Sequence, residues 1–157
     1  MSTENPDMFE IGDEDEYSAE ELLEQAQINA QALFLGTAQA LASSDEQTAT
    51  WMKSLANTFI RGWDIEAEWE PADILFALVT NYQAYGAEVN SSDFEADVPE
   101  VKLANLPNVH LADALEIPSE RMHLLFRIGE DLTSRLGGKL TWTANDDDTV
   151  TLRVAAT

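Results

Sequence analysis

The sequence predicts a mostly helical α+β domain: an antiparallel three-helix bundle, a fourth helix and a C-terminal β-hairpin. Over the first half of the chain, apolar residues recur at three- and four-residue intervals, which indicates amphipathic helices. Residues typical of helix starts and stops delimit these segments. The end of the chain changes to alternating apolar and polar residues, which indicates strands. At 157 residues the chain fits one domain with a substantial core.

The first helix is predicted over about residues 19–42. Ser18 is a typical N-cap, and Glu21 three residues later completes a capping box. Small alanines along this helix would let a neighbouring helix approach closely. The positions that recur at helical spacing are Leu22, Leu23, Ala26, Ala30, Leu33, Phe34, Thr37 and Leu41.

Two more helices complete the predicted bundle. Ser44 and Gln47 repeat the capping-box arrangement, and the second helix continues toward Gly62. Pro71 fits the first turn of the third helix, and Gly86 ends it. Short connections favour an antiparallel arrangement of the three helices. Their apolar stripes are Met52, Leu55, Phe59 and Ile60 in the second helix, and Ile74, Leu75, Leu78, Val79 and Tyr82 in the third.

Between the third and fourth helices the pattern is less regular. Pro99 and Pro107 interrupt helices, so residues 90–107 are predicted to hold one short extended segment, over 101–106, that packs on the bundle. Residues 111–115 are predicted as a single helical turn.

The last predicted elements are a helix and a hairpin. Pro118-Ser119 opens the fourth helix, and Gly137-Gly138 closes it. Residues 139–143 and 149–154 alternate apolar and polar side chains around the polar turn 145–148, as expected of a hairpin. Because a two-stranded hairpin is marginal alone, its apolar face must dock on the helices or join a partner's sheet.

The segment Leu132–Thr141, with the closing strand Thr149–Val154, resembles the last helix and hairpin of histidine-kinase ATPase domains. The resemblance covers about the last sixth of the chain. Those families also have an upstream asparagine helix and an Asp-x-Gly-x-Gly loop, and this sequence has neither. The resemblance therefore implies a common helix–Gly-Gly–hairpin arrangement and no ATP site.

Acidic residues dominate the charge of the chain. There are 30 Asp plus Glu against 8 Lys plus Arg, a formal net charge of -22. Residues 1–17 are acidic and aperiodic and are predicted to be a disordered tail, whereas 18–157 form a single globular domain. A hydrophobic fraction of 45% is ordinary for a folded protein.

The composition excludes several classes of function. There is no cysteine, so disulfides, thiolate metal sites and cysteine nucleophiles are absent. The N-terminus lacks the charge and apolar run of a secretory signal, and no stretch is apolar enough to span a membrane, so we expect a cytoplasmic protein. The negative charge repels nucleic acid and anionic lipid, so we expect neither direct nucleic-acid binding nor membrane binding.

Two explanations fit the acidity. The first is adaptation to molar intracellular salt, because the Debye length there falls to about 3 Å or less and self-repulsion is muted. The second is a DNA mimic that occupies the basic groove of a nucleic-acid enzyme. A mimic needs its carboxylates aligned on one face. The acids of this chain are instead spread over nearly every polar stretch, which favours adaptation to salt.

No motif assigns catalysis, a metal or a cofactor. His123 is a candidate general base, and His110 with Asp113 a candidate pair, but neither has a nucleophile beside it, and structural roles are commoner for both. Transition-metal sites need several His or Cys ligands, which are lacking. Asp146–Asp148 is interpreted as a solvated turn, and Gly137-Gly138 lacks the upstream glycine of a phosphate-binding loop. We therefore predict no catalytic residue, metal site or cofactor.

The better functional candidates are aromatic residues and isolated arginines. Trp69, within an acidic connector, is predicted to be an exposed interface anchor, with Trp51 and Tyr85 as further interface candidates. Arg61 and Arg127 lie in apolar sequence, where they could clamp an anionic ligand or form structural ion pairs.

These features lead to three hypotheses of function. The leading one is a non-enzymatic interaction module, an adaptor or regulator adapted to high salt, which binds a protein partner through its helical surface or self-associates. The alternatives are an acidic DNA-mimic inhibitor and a domain that binds a small anionic ligand in a pocket between the bundle and the hairpin.

Overall fold

The computed structural model describes residues 17–157, so the tail predicted over 1–17 lies, except for Tyr17, outside the described residues. The described chain is α+β, as predicted. The helices are α1 (Ala19–Ala40), α2 (Asp45–Phe59), α3 (Pro71–Ala84), α4 (Val109–Ala114), α5 (Ser119–Met122) and α6 (Leu124–Arg135). The strands are β1 (Glu88–Asp93), β2 (Glu100–Ala104), β3 (Gly138–Ala144) and β4 (Val150–Ala156).

The four strands form one antiparallel sheet in the order β1-β2-β4-β3. The predicted C-terminal hairpin is confirmed as β3 and β4, with Leu140 opposite Val154. The extended segment predicted to pack on the bundle is instead β2, which is paired on both sides within the sheet. Strand β1 was not predicted, because its sequence has no apolar alternation and its side chains are all exposed.

The core lies between one face of the sheet and two helices. Val101 and Leu103 of β2 and Leu152 of β4 are fully buried. Helix α3 contacts β2 and β4, and α6 contacts β3. Ile74 and Phe126 are among the largest fully buried side chains, one from each of these helices. The sheet and the two helices thus bury each other's apolar faces.

The predicted antiparallel three-helix bundle is not confirmed. Helix α2 packs against α6, α3 lies on the sheet, and the main contacts of α1 are with α4 and α5. A smaller cluster of Leu35, Ala112 and Ile117 fills the contact between α1 and the segment around α4. Helical spacing identifies which face of each helix is apolar, but not which element covers it. Here the inner face of the sheet, from β2, β3 and β4, covers α3 and α6.

The helix-end signals are mostly confirmed. Ser18 and Ser44 each accept a hydrogen bond from the first turn of their helices. Gly86 follows α3 with φ of 94°, and Gly137 follows α6 with φ of 82°, the left-handed region that glycine tolerates. The single helix predicted from Pro118-Ser119 is wrong, because His123 leaves helical geometry (φ -100°, ψ 9°) and separates α5 from α6.

Within residues 17–157, no helix is long and apolar enough to cross a membrane.

Candidate interaction surface

Helix α1 extends beyond the body of the domain. Every residue from Ala19 to Ala26 is exposed, and the first side chain to reach the body is Gln27, whose Nε2 donates to the Gln83 carbonyl at 3.1 Å. Eight helical residues span about 12 Å, so roughly two turns project into solvent.

One buried side chain fastens the second half of α1. Gln31 Nε2 donates to the carbonyls of Tyr85 at 2.7 Å and Asn105 at 3.0 Å, and its Oε1 accepts from the Asn108 backbone N–H at 2.8 Å. Arg121 holds the C-terminal end, donating to the Ala42 carbonyl at 3.0 Å. These bonds fix the side of α1 that faces the body and leave the opposite side to solvent.

The solvent side of α1 has a heptad pattern of apolar and small residues. We call this set of residues the α1 outer face. Its members follow one another at intervals of three and four residues, and every one of them is exposed. They are Ala19, Leu22, Ala26, Asn29, Leu33, Gly36 and Ala40. Leu22 is 56% exposed and Leu33 74%, and Leu23 beside the face is 57% exposed. Large leucines this open on one helix face are typical of an interaction surface.

Two features show that the α1 outer face is unusual in this chain. Residues 25–44 contain no charged side chain, although 24% of the chain is charged. Gly36 lies inside the helix, and a Cβ built there would meet nothing within 4 Å. Nothing within the described chain therefore requires a glycine at that position. Both features stand in the sequence, and the uncharged run was the signal that could have identified this face.

The projecting turns begin with a complete capping box. The backbone N–H of Ser18 donates to Glu21 Oε2 at 2.8 Å, and the Glu21 N–H donates to Ser18 Oγ at 3.2 Å. The Ser18 backbone and side-chain hydrogen bonds lower the pKa of the Glu21 carboxyl. Since these turns have no packing partner in the described chain, local capping is what stabilises them.

Two of the predicted interface residues, Trp51 and Tyr85, are half-buried and lie apart from Trp69. The Trp51 ring lies tilted against Phe34 at 5.0 Å between centroids. Tyr85 packs against the main core, and burial raises the pKa of its phenol. Their roles as interface residues stay predictions.

Trp69 is also half-buried. Its Nε1 donates to the Asp64 carbonyl at 2.7 Å, and its ring stacks on Trp63 at 6.0 Å, so the tryptophan closes the connector before α3. The exposed apolar surface near it belongs to Phe76, which is 63% exposed and lines a shallow hollow together with Trp69. Asp73 lies in the same hollow. This hollow is a second, smaller candidate surface, which we call the Trp69 hollow.

Arg61 and Arg127 are both exposed, and neither lines any of the best-formed hollows of residues 17–157. Their proposed role in binding an anionic ligand stays a prediction. The arginine that the structure does hold by several hydrogen bonds is Arg121, which sequence reasoning passed over. Its Nη1 donates to Thr48 Oγ1 at 2.9 Å. This contact joins α5 to the start of α2.

The two histidines line one hollow between the α4–α5 segment and the β3–β4 turn, together with Asp113 and Asp148. His110 is exposed, whereas His123 Nδ1 lies 3.0 Å from the Ser119 carbonyl and its ring stacks on Trp142 at 5.4 Å. Over the described part of the chain, no three His, Asp or Glu side chains are placed to share a metal ion.

No family model matches this sequence, and no curated protein and no solved structure is significantly similar to it. Function therefore has to follow from the geometry of this chain.

Proposed function

We propose that this protein is a non-enzymatic protein-interaction module that binds through the α1 outer face. The observation that carries the proposal is the exposure of Leu22, Leu23 and Leu33 on a capped helix whose first two turns project from the body. A folded protein of this net charge gains solubility from carboxylates on its surface. Three exposed leucines next to a segment without charged residues form an uncharged apolar surface instead, which is typical of a binding surface.

The acidity of the chain fits a protein that works in concentrated salt. The net charge of -22 makes the compact state repel itself at low ionic strength. In about 1 M salt the Debye length is about 3 Å, so the repulsion between exposed carboxylates is largely screened. Apolar contacts carry no such penalty, so an apolar face is the natural recognition surface for an acidic protein in that medium.

The experiment that tests this function is a capture assay in native high-salt lysate with the immobilised full-length protein. We expect wild type to retain one or more proteins that the Leu33→Glu variant does not retain. Leu33 is 74% exposed, so a glutamate there leaves the fold intact while placing a charge on the apolar face. Equal capture by both proteins would contradict the proposed role of α1.

The Trp69 hollow provides the matched control. Phe76 is 63% exposed on α3, and Phe76→Glu makes the same kind of change on the other candidate surface. Loss of capture by this variant but not by Leu33→Glu would assign the interface to the Trp69 hollow, as the sequence predicted. Trp69→Ala reports less cleanly, since removal of a ring that stacks on Trp63 also disturbs the connector.

A further inference from the structure

We propose that the occupant of the α1 outer face is a second copy of this chain, bound antiparallel across a two-fold axis. The inference rests on the proposed function and names its partner. The axis passes near Ile28, so that Leu22 of one copy packs on Leu33 of the other, and Ala19 packs on Gly36.

The face is complementary to itself in this register. Its two exposed leucines stand eleven residues apart, so reversing the helix exchanges them and places large side chains together. Small residues fill the remaining positions, apart from one amide, and Gly36 lets the second backbone approach. Asn29 lies close to the two-fold axis, and its own copy is offset by about 4–5 Å along the helices, within reach of an amide–amide hydrogen bond. Such a polar pair sets the register of helix pairs.

The distribution of charge favours the antiparallel orientation. The acids of α1 are Glu20, Glu21 and Glu24, all in its first turns, whereas residues 25–44 are uncharged. In an antiparallel pair each acidic end lies beside the uncharged half of the other helix. A parallel pair would instead bring the two acidic N-terminal ends to the same end of the helix pair and align the two helix dipoles, both of which are less favourable.

The exposed leucines supply about half of the area that a standard dimer interface needs. At roughly 200 Å² for a fully exposed side chain of this size, the exposed fractions of Leu22, Leu23 and Leu33 amount to about 400 Å² per copy. A standard interface takes about 800 Å² from each partner, and the intervening alanines and amides lie on the same side of the helix. Because Gln27 and Gln31 hold the opposite side of α1, the two domain bodies lie on the far sides of the helix pair.

The first test is sedimentation equilibrium of the purified full-length protein at about 100 μM in about 2 M KCl. This protein concentration exceeds the micromolar Kd of the weakest interfaces of standard size. We expect a dimer that strengthens with KCl concentration, because screening removes the repulsion between two chains of charge -22. Leu33→Glu should weaken the dimer at least about 30-fold, as removal of a central anchor does. Phe76→Glu should leave it unchanged.

The second test fixes orientation by disulfide trapping, which is clean because the chain has no cysteine of its own. In the proposed register a mixture of Leu22→Cys and Leu33→Cys proteins forms a covalent heterodimer under oxidation. Each variant alone does not, because like positions lie about 16 Å apart along the pair, beyond the ~7 Å Cα–Cα limit of a disulfide. Homodimer formation by each single variant would show a parallel pair and overturn the inference.

The remaining outcomes separate this inference from the proposed function. A monomeric wild type that still captures another protein in a manner sensitive to Leu33→Glu would overturn self-association and leave the interaction module standing. A monomer whose capture is insensitive to that substitution would overturn both. If deletion of residues 2–16 turned a monomer into a dimer, the N-terminal segment would be the occupant, and the second copy would not.

Discussion

The close approach of the Tyr82 side chain of α3 to Gly129 of α6 gives the sharpest prediction about the fold. A Cβ placed on Gly129 would lie 2.2 Å from the Tyr82 hydroxyl oxygen. Tyr82 is only 4% exposed and its ring meets Phe126 edge-on at 5.4 Å, so it has little room to move. Its hydroxyl also has no hydrogen-bond partner among the described residues. The contact therefore depends on a glycine in α6 opposite a tyrosine in α3.

The two opposing contributions to Gly129→Ala can be estimated. Replacing glycine by alanine inside a helix stabilises by about 1 kcal/mol. Forcing a methyl group into a packed core costs about 1–3 kcal/mol, and 2.2 Å is deep inside contact distance, which favours the upper end. We expect a net loss of about 1–2 kcal/mol in the free energy of unfolding. Each kcal/mol lowers Tm by about 2–4 °C in a chain of this size.

Tyr82→Phe should rescue the substitution. Removing an unpartnered buried hydroxyl is near neutral or stabilising. In the double variant the nearest atoms to the new Cβ become Leu140 Cδ2 at 3.0 Å and the ring carbon Cζ at 3.5 Å, so most of the clash is gone. The double variant should be at least as stable as wild type, which makes the coupling free energy about 1–2 kcal/mol.

The assay is urea unfolding at one fixed high KCl concentration, followed by circular dichroism. All variants carry Leu33→Glu, so that association through α1 does not enter the unfolding free energy. Gly36→Ala is the matched control, because its Cβ meets nothing within 4 Å and only the helix propensity changes. It should stabilise by up to about 1 kcal/mol. Additive effects of Gly129→Ala and Tyr82→Phe, within about 0.5 kcal/mol, would refute the proposed contact.

Two further predictions concern charge. Dilution of KCl to about 0.1 M should reduce the helical circular dichroism of the wild-type protein, because the Debye length rises to about 10 Å and the carboxylates repel; a fold that is independent of salt would favour the DNA-mimic alternative. The pKa of the Asp147 carboxyl should be about 2, because hydrogen bonds from Lys102 and Thr149 favour its charged form. A carboxyl with a lowered pKa stabilises the fold above its unfolded pKa near 4, and that contribution disappears as the pH falls toward 2. Lys102→Met should raise the pKa of Asp147 in an NMR titration, and an unchanged value would show that Lys102 is not the cause.

Local signals in this sequence were sufficient for the ends of most elements. Ser18 with Glu21, and Ser44 with Gln47, marked helix starts because side-chain caps satisfy backbone N–H groups within four residues. Such signals depend on residues close in sequence. The break at His123 was missed for a related reason, since the apolar spacing of α6 continues across it and nothing nearby in the sequence marks the change.

The packing of the elements could not be predicted in the same way. Strand β1 carries Glu88, Asn90 and Asp93 and exposes every side chain, so it has no pattern that distinguishes it from a loop. Its position depends on backbone hydrogen bonds to β2, which side-chain periodicity does not report. Because side-chain patterns did not indicate that β1 and β2 extend the hairpin into a four-stranded sheet, the predicted cover for α2 and α3 was mainly another helix.

The charge and the α1 outer face are connected. At 24% charged residues, a run as long as 25–44 would be expected to contain about five charged side chains, and it contains none. The inward side of α1 is buried through Gln31, Leu35 and Ala38, which accounts for the lack of charge on that side alone. Burial within the domain therefore does not explain why the outward side is uncharged too. Charge is absent from every position of the α1 outer face, and the acids of α1, at Glu20, Glu21 and Glu24, lie off that face. In a chain that is otherwise acidic on nearly every polar stretch, that exclusion is what we expect of the proposed interface, in which salt suppresses the repulsion between two copies.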